Sequence, residues 1–296
     1  MNHAFGPILD GLRGVRWLAA DRVAAHTSGT HRSRQRGMVG EFAEYRLYRQ
    51  GDDPRTLDWK LLARSDRPFV RLADDRAQLP TVVLLDASAS MAFPMPGGSS
   101  PSKWVAASAI AIGLLAVARA TGDPIGCLVA HDVVPLRMAP RSRRGTLEEI
   151  MHRIGTTTPS GSAPLAPLIH EVPRHARLVV ISDALGDHDA MVAAVRGRLG
   201  AGGSAMLVHV VAPEELDLPS GVHRVEDPER TVEPRQISSA NRRAYAESFG
   251  AFREAVATAW YGMGASYALV PSDRDPVRTV RALVAAAASS LGAGRA

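Results

Sequence analysis

Cysteine is almost missing from this chain: Cys127 is its one thiol among 296 residues. A disulfide within the chain is therefore excluded, and so is a cysteine-rich metal centre. Set in the apolar run "IGCLVA", Cys127 reads as a small buried hydrophobe rather than a reactive thiol. Lysine is nearly as scarce, Lys60 and Lys103 being two of the 35 basic residues. The net charge of +5 thus rests on arginine, whose abundance beside alanine is a habit of GC-rich coding and does not argue for nucleic-acid binding.

Long apolar runs are missing too. None approaches the roughly 20 residues that span a bilayer; Ala106–Ala120 comes nearest, and it is short and alanine-rich. The first 23 residues lack the positive start and apolar core of a secretion signal. The expectation is a soluble, cytoplasmic protein with no membrane insertion.

Catalytic signatures are sparse. Neither G-x-S-x-G nor H-E-x-x-H occurs. "GGSSPSK" (Gly97–Lys103) lacks the glycine that precedes lysine in a phosphate loop. "SPSK" fits S-x-x-K without the companion motifs of the acylating enzymes. The basic clusters His31–Arg36 and Arg141–Gly145 have no aromatic interleaving, so they read as solvated loops and no nucleic-acid partner is expected.

What the chain does have is enough apolar content for a core, with hydrophobic residues at 46% and charged residues at 22%. From Thr81 onward, apolar runs alternate with helical stretches. Strands are expected at "TVVLLD", "PIGCLVAHD", "ARLVVISD", "SAMLVHVV" and "SYALVP". Helices are expected near Ser102–Thr121, through "GTLEEIMHRI", "PLAPLIHEV" and "HDAMVAAVRGRL", and over Ser238–Tyr261 and Asp275–Leu291. That alternation predicts an α/β fold with a doubly wound, mostly parallel sheet. "PLRMAP" is expected to pair with the strand before it, and "GVHRVEDPERTVEP" to form a short hairpin. Upstream, helical spacing runs from Pro7 to about Ala25. "EYRLYR" and "FVRLADD" read as strands flanking the polar turn "QGDDPRT". The predicted division is 1–79, a helix and mixed extension packed on the main domain, and 80–296, the α/β domain.

One stretch needs chemistry to explain it. "TVVLLDASASMAF" spends a buried strand to deliver Asp86, Ser88 and Ser90 together. In an open parallel sheet, functional groups collect just past the carboxyl ends of strands. A carboxylate and two hydroxyls are hard oxygen ligands that suit Mg²⁺ or Mn²⁺. Asp183, ending "RLVVISD", brings a second acid to an equivalent place. The two acids could instead cap the helices that follow them.

The residues "DASAS" (Asp86–Ser90) match the D-x-S-x-S signature of von Willebrand factor A-type domains and their metal-ion-dependent adhesion site. Gly40–Arg71 is similar to the segment that precedes such a domain in the bacterial family called domain of unknown function 58. Arg46, Tyr48, Gly51, Asp52, Asp53, Arg55, Asp58, Trp59, Ala63 and Arg64 carry that likeness. It continues through "HRVEDPERT" to the final helix.

The resemblance implies a von Willebrand factor A-like fold and a non-enzymatic, metal-dependent protein-binding role. Asp86 would bind Mg²⁺ (or Mn²⁺) directly or through water, Ser88 and Ser90 would give hydroxyl oxygens, and Asp183 would hold coordinating water. A partner protein presenting Asp or Glu would complete the shell, and a MoxR-type AAA+ ATPase is the implied associate. These sites usually add a threonine within G-G-T-x-L. Here the region reads "TTTPSGSAPLAPL", with Ala163 at the threonine place, Ser162 as the nearest substitute ligand and Thr158 a further candidate. Two alternatives stay open: a metal-dependent phosphoester hydrolase, and a scaffold with a vestigial site. The charges of Gly40–Arg71 read as an ion-paired turn anchored by Trp59 and Tyr48, or as a partner-contacting surface.

Overall fold

The computed structural model describes residues 5–17, 42–49, 57–65, 67–73, 78–95, 98–218, 224–225, 235–236 and 239–289. The polar turn at Gln50–Thr56 and the His31–Arg36 cluster lie outside them. The chain divides into two compact units, Ala20–Gln78 and a larger one of Met1–Ala19 with Leu79–Ala296. The first helix therefore goes with the sheet and not with the segment that follows it.

In the larger unit, β3 (Thr81–Asp86), β4 (Ile125–Ala130), β5 (Leu136–Arg141), β6 (Arg177–Ser182), β7 (Ser204–Val211) and β10 (Ser266–Pro271) form one sheet in the order β10-β7-β6-β3-β4-β5. All neighbours are parallel except the antiparallel β4–β5 pair. The fold is α/β with a mostly parallel sheet, as the alternating pattern predicts. β3, β4 and β6 are buried along their whole lengths, which is why they read as unbroken apolar runs.

Alternate residues feed two cores. Val83 and Leu85 join α1 (Gly6–Gly11), α3 (Lys103–Ala120), α4 (Thr146–Gly155) and α9 (Pro276–Ser289) on one face. Val82 and Leu84 join α5 (Ala166–Glu171), α6 (His188–Gly200) and α8 (Ser239–Gly262) on the other. Helix α3 is, among the described residues, the one helix long and apolar enough to cross a membrane, and it lies mostly buried in the first core. It is apolar nearly all round because it is packed on several sides. Cys127 is buried in the same core, and burial pushes its thiol up to about 12.

Several expectations are corrected. Helix α1 stops at Gly11 instead of continuing toward Ala25; a turn follows, ending at Gly14 with φ of +80°. Residues 18–25 lie outside the described set. The smaller unit pairs β1 (Phe42–Leu47) antiparallel with β2 (Phe69–Ala73), as expected, but adds an unforeseen helix α2 (Trp59–Ser65). In that helix Trp59 is 65% exposed. The fixed point is Asp58, buried, whose Oδ1 accepts the Leu61 N–H at 3.1 Å and so holds the first turn. The short hairpin appears as β8 (Arg224–Val225) paired with β9 (Arg235–Gln236). A four-residue helix, α7 (Pro213–Leu216), follows β7 and was not foreseen.

Close packing leaves no room at Gly113. A Cβ there would stand 2.8 Å from Val280, 2.9 Å from Ile8 and 3.0 Å from Leu12, so α1, α3 and α9 meet through a glycine. Gly113→Val should cost about 1–3 kcal/mol by overpacking, read as a lower midpoint in urea denaturation. An unchanged midpoint would mean that α1 does not pack there.

Candidate functional site

The strand order reverses between β3 and β6. From β3 the chain builds outward through β4 and β5, and then returns through β6 to build the other way. The loops after β3 and β6 therefore diverge and leave a crevice at their carboxyl ends. Asp86 closes β3, and Asp183 directly follows β6. Both are buried, as are Ser88 and Ser90.

The local geometry is tight. Asp86 Oδ1 accepts the Ser88 N–H at 2.9 Å, turning the chain so that Ser88 Oγ and Ser90 Oγ stand 3.0 Å apart. A 3₁₀ turn over Ala89–Ala92 follows. Asp86 Oδ2 accepts the Ser182 hydroxyl at 2.6 Å, linking the ends of the two strands. Burial and the nearby charge of Asp183 push the Asp86 carboxyl up to about 7, against the hydrogen bonds from Ser182 and Ser88 that favour its ionised form. Beyond Asp183 the backbone is strained: Ala184, buried, has φ of +56°.

Asp183 is held by a group that sequence reasoning passed over. Lys103 Nζ lies 2.7 Å from Asp183 Oδ2 and 2.6 Å from Glu215 Oε1, with its own side chain 1% exposed. Burial works against that ammonium, but Asp183 and Glu215 outweigh it and hold its pKa above the ordinary lysine value. The remaining carboxylate oxygens are also used. Asp183 Oδ1 accepts the Leu185 N–H at 3.2 Å and Glu215 Oε2 accepts the Ala212 N–H at 2.7 Å.

The threonine-region loop reaches the site through its backbone. Ala89 N–H donates to the Gly161 carbonyl and Ser160 N–H to the Ala87 carbonyl, each at 2.9 Å. Gly161 has φ of +57°, and a Cβ there would collide with the Asp132 carboxylate, so glycine is required. Ser162, one residue on, is exposed, and Ala163 packs against the second core. Thr158 turns its carbonyl to His131 Nε2 at 3.1 Å and lines a cavity of about 430 Å³ with His131, Val134, Leu136 and Ser160.

The residues present fit an oxygen-ligated divalent ion on the Asp86–Ser88–Ser90 side. There a carboxylate and two hydroxyls converge under an excess of negative charge. They do not fit it on the threonine side, where the loop brings backbone and a methyl group. The structure thus unites Asp86, Ser88, Ser90 and, behind a lysine, Asp183, while Ser162 points to no oxygen cluster among the hydrogen bonds of the described residues. Ser182, Lys103 and Glu215 were missed in the sequence. One signal was available: Lys103 is, with Lys60, one of two lysines in a chain that mostly uses arginine.

Residues 44–255 match the family described as protein of unknown function DUF58, and the chain belongs to that family. It is 30% identical over 275 residues to the uncharacterized proteins Rv1480 of Mycobacterium tuberculosis and Mb1516 of Mycobacterium bovis, covering 89% of this chain and 84% of each of those. Among solved structures it is similar to the conserved hypothetical protein BatB from Bacteroides thetaiotaomicron, with 16% identity, TM-score 0.46, and coverage of 72% of this chain and 98% of that one. The SpRpn10 VWA domain is similar at 12% identity and TM-score 0.40, covering 69% and 93%.

The raised Asp86 carboxyl carries a pH signature. Its folded pKa of about 7 lies above the ordinary value of 3.8, so the folded state binds the extra proton between those limits. The stability this gives is complete below the lower value and is lost as pH rises through the upper one. In EDTA, wild type should lose on the order of a few kcal/mol between about pH 4 and 8, and Asp86→Asn should flatten that slope. Denaturant unfolding across pH reads both; parallel curves would remove the assigned cause.

Proposed function

We propose that this protein is a divalent-metal-dependent protein-binding domain and not an enzyme, with an Asp or Glu of the partner as the group it captures. The observation that carries the reading is the buried set of Asp86, Ser88 and Ser90 at the sheet's switch point, its hydroxyls 3.0 Å apart. A bound Mg²⁺ or Mn²⁺ would supply a Lewis-acid centre with an open position for a carboxylate. Asp86, Ser88 and Ser90 would hold it, and Ser182 and the Ser88 N–H fix the Asp86 carboxyl in place for that task.

The surroundings support a macromolecular partner. Phe93 and Met95 after β3, Val133 and Val134 after β4, and Leu185 after β6 are large apolar side chains exposed at the same edge of the sheet. An apolar rim around a polar centre is the composition of a protein-binding face. Hydrolysis is less well supported. The basic group beside Asp183 is an ammonium already bonded to two carboxylates, and burial pushes His209 down to about 4 as its Nδ1 faces the Tyr267 hydroxyl at 2.9 Å. A MoxR-type AAA+ ATPase is the proposed associate, resting on the family resemblance, and the cytoplasm remains the proposed compartment.

The test is capture of a purified MoxR-type ATPase of the same organism by immobilised protein, in Mg²⁺ and in EDTA. Retention in Mg²⁺ should vanish in EDTA and in Asp86→Ala, while circular dichroism shows that variant folded. Equal retention under all conditions would falsify the metal-dependent reading.

A further inference from the structure

We propose that Lys103 is a built-in cation of this site: it holds Asp183 away from direct contact with a bound divalent ion and so sets how weakly the site holds metal alone. The inference rests on the metal-binding reading above.

The placement of Lys103 is costly twice over. It is the first residue of α3, where the helix dipole disfavours positive charge, and its side chain is 1% exposed. Two carboxylates offset those costs, and they lie 80 and 112 residues away in the chain. The same ammonium lies 6.0 Å from the centre of the Phe93 ring, on the loop that carries the serines. Solvation by this pocket, not by water, therefore decides where the charge can sit.

The network is closed. Lys103 takes one oxygen each of Asp183 and Glu215, and the Leu185 and Ala212 amides take the others. A divalent ion drawing on Asp183 would have to break this set and come close to an ammonium. On the Asp86, Ser88 and Ser90 side no such cation intervenes among the described residues.

The experiment titrates Mn²⁺ into the full-length chain by isothermal calorimetry, using wild type, Lys103→Met, and Lys103→Met combined with Asp86→Ala. Removing the ammonium should tighten Mn²⁺ binding about tenfold or more, and the added Asp86→Ala should abolish the gain. Lys103→Met leaves two buried acids unpaired, so Lys103→Met with Glu215→Gln is measured alongside it. This variant removes one of those charges and carries the same expected direction. Wild-type binding with no gain in either lysine variant overturns the inference and leaves the metal reading standing. No Mn²⁺ binding by any of them overturns both.

Discussion

The parallel pairing of β3 with β6 is the constraint on which the site depends. Their register sets Leu85 beside Ile181, so the next residues, Asp86 and Ser182, come within one hydrogen bond of each other. Two acids 97 positions apart in the chain thus end on neighbouring strands, where their charges act on each other. The apolar runs that make both strands fully buried also strip water from the carboxylates. The sheet that creates the site is what makes its charge expensive.

That expense is met by fixed partners. Asp86 has a serine hydroxyl and a backbone amide, and Asp183 has an ammonium and another amide. Removing one member of a buried, hydrogen-bonded charge pair costs about 3–5 kcal/mol, so Lys103, Asp183 and Glu215 act as a unit. The unit ties three parts of the fold together: the start of α3, the end of β6 and the short helix α7 after β7. The strained Ala184 backbone and the obligatory glycine at 161 sit on the loops around it.

Much of this was legible in the sequence, and what was not has a physical cause. The strands read cleanly because burial on both faces writes them as unbroken apolar runs. "DASAS" and the aspartate closing "RLVVISD" placed the acids because ligand type and strand end are local features. The Lys103–Glu215 contact was not legible, since nothing in "PSKW" or "PEEL" encodes a contact made across more than 100 residues. Trp59 misled for a related reason. Its size suggests burial, but helix α2 turns Asp58 inward and leaves the ring exposed. Early helical spacing misled too, because Ile8 and Leu12 join the same core although the helix has already ended at Gly11.

The methyl group at 163 and the ammonium at 103 bear on one quantity in the proposed site. On the metal-binding reading, Ala163 would withhold an oxygen from the threonine place, and Lys103 would withhold a carboxylate. An ion held by Asp86, Ser88 and Ser90 would then have one protein charge against its two and several positions left to water. Its own affinity would be low, and its residual field strong. A carboxylate from another protein supplies both the missing charge and a ligand oxygen, and in a buried crevice that exchange is worth far more than at an open surface. Binding of ion and partner would therefore be coupled, each completing the site for the other.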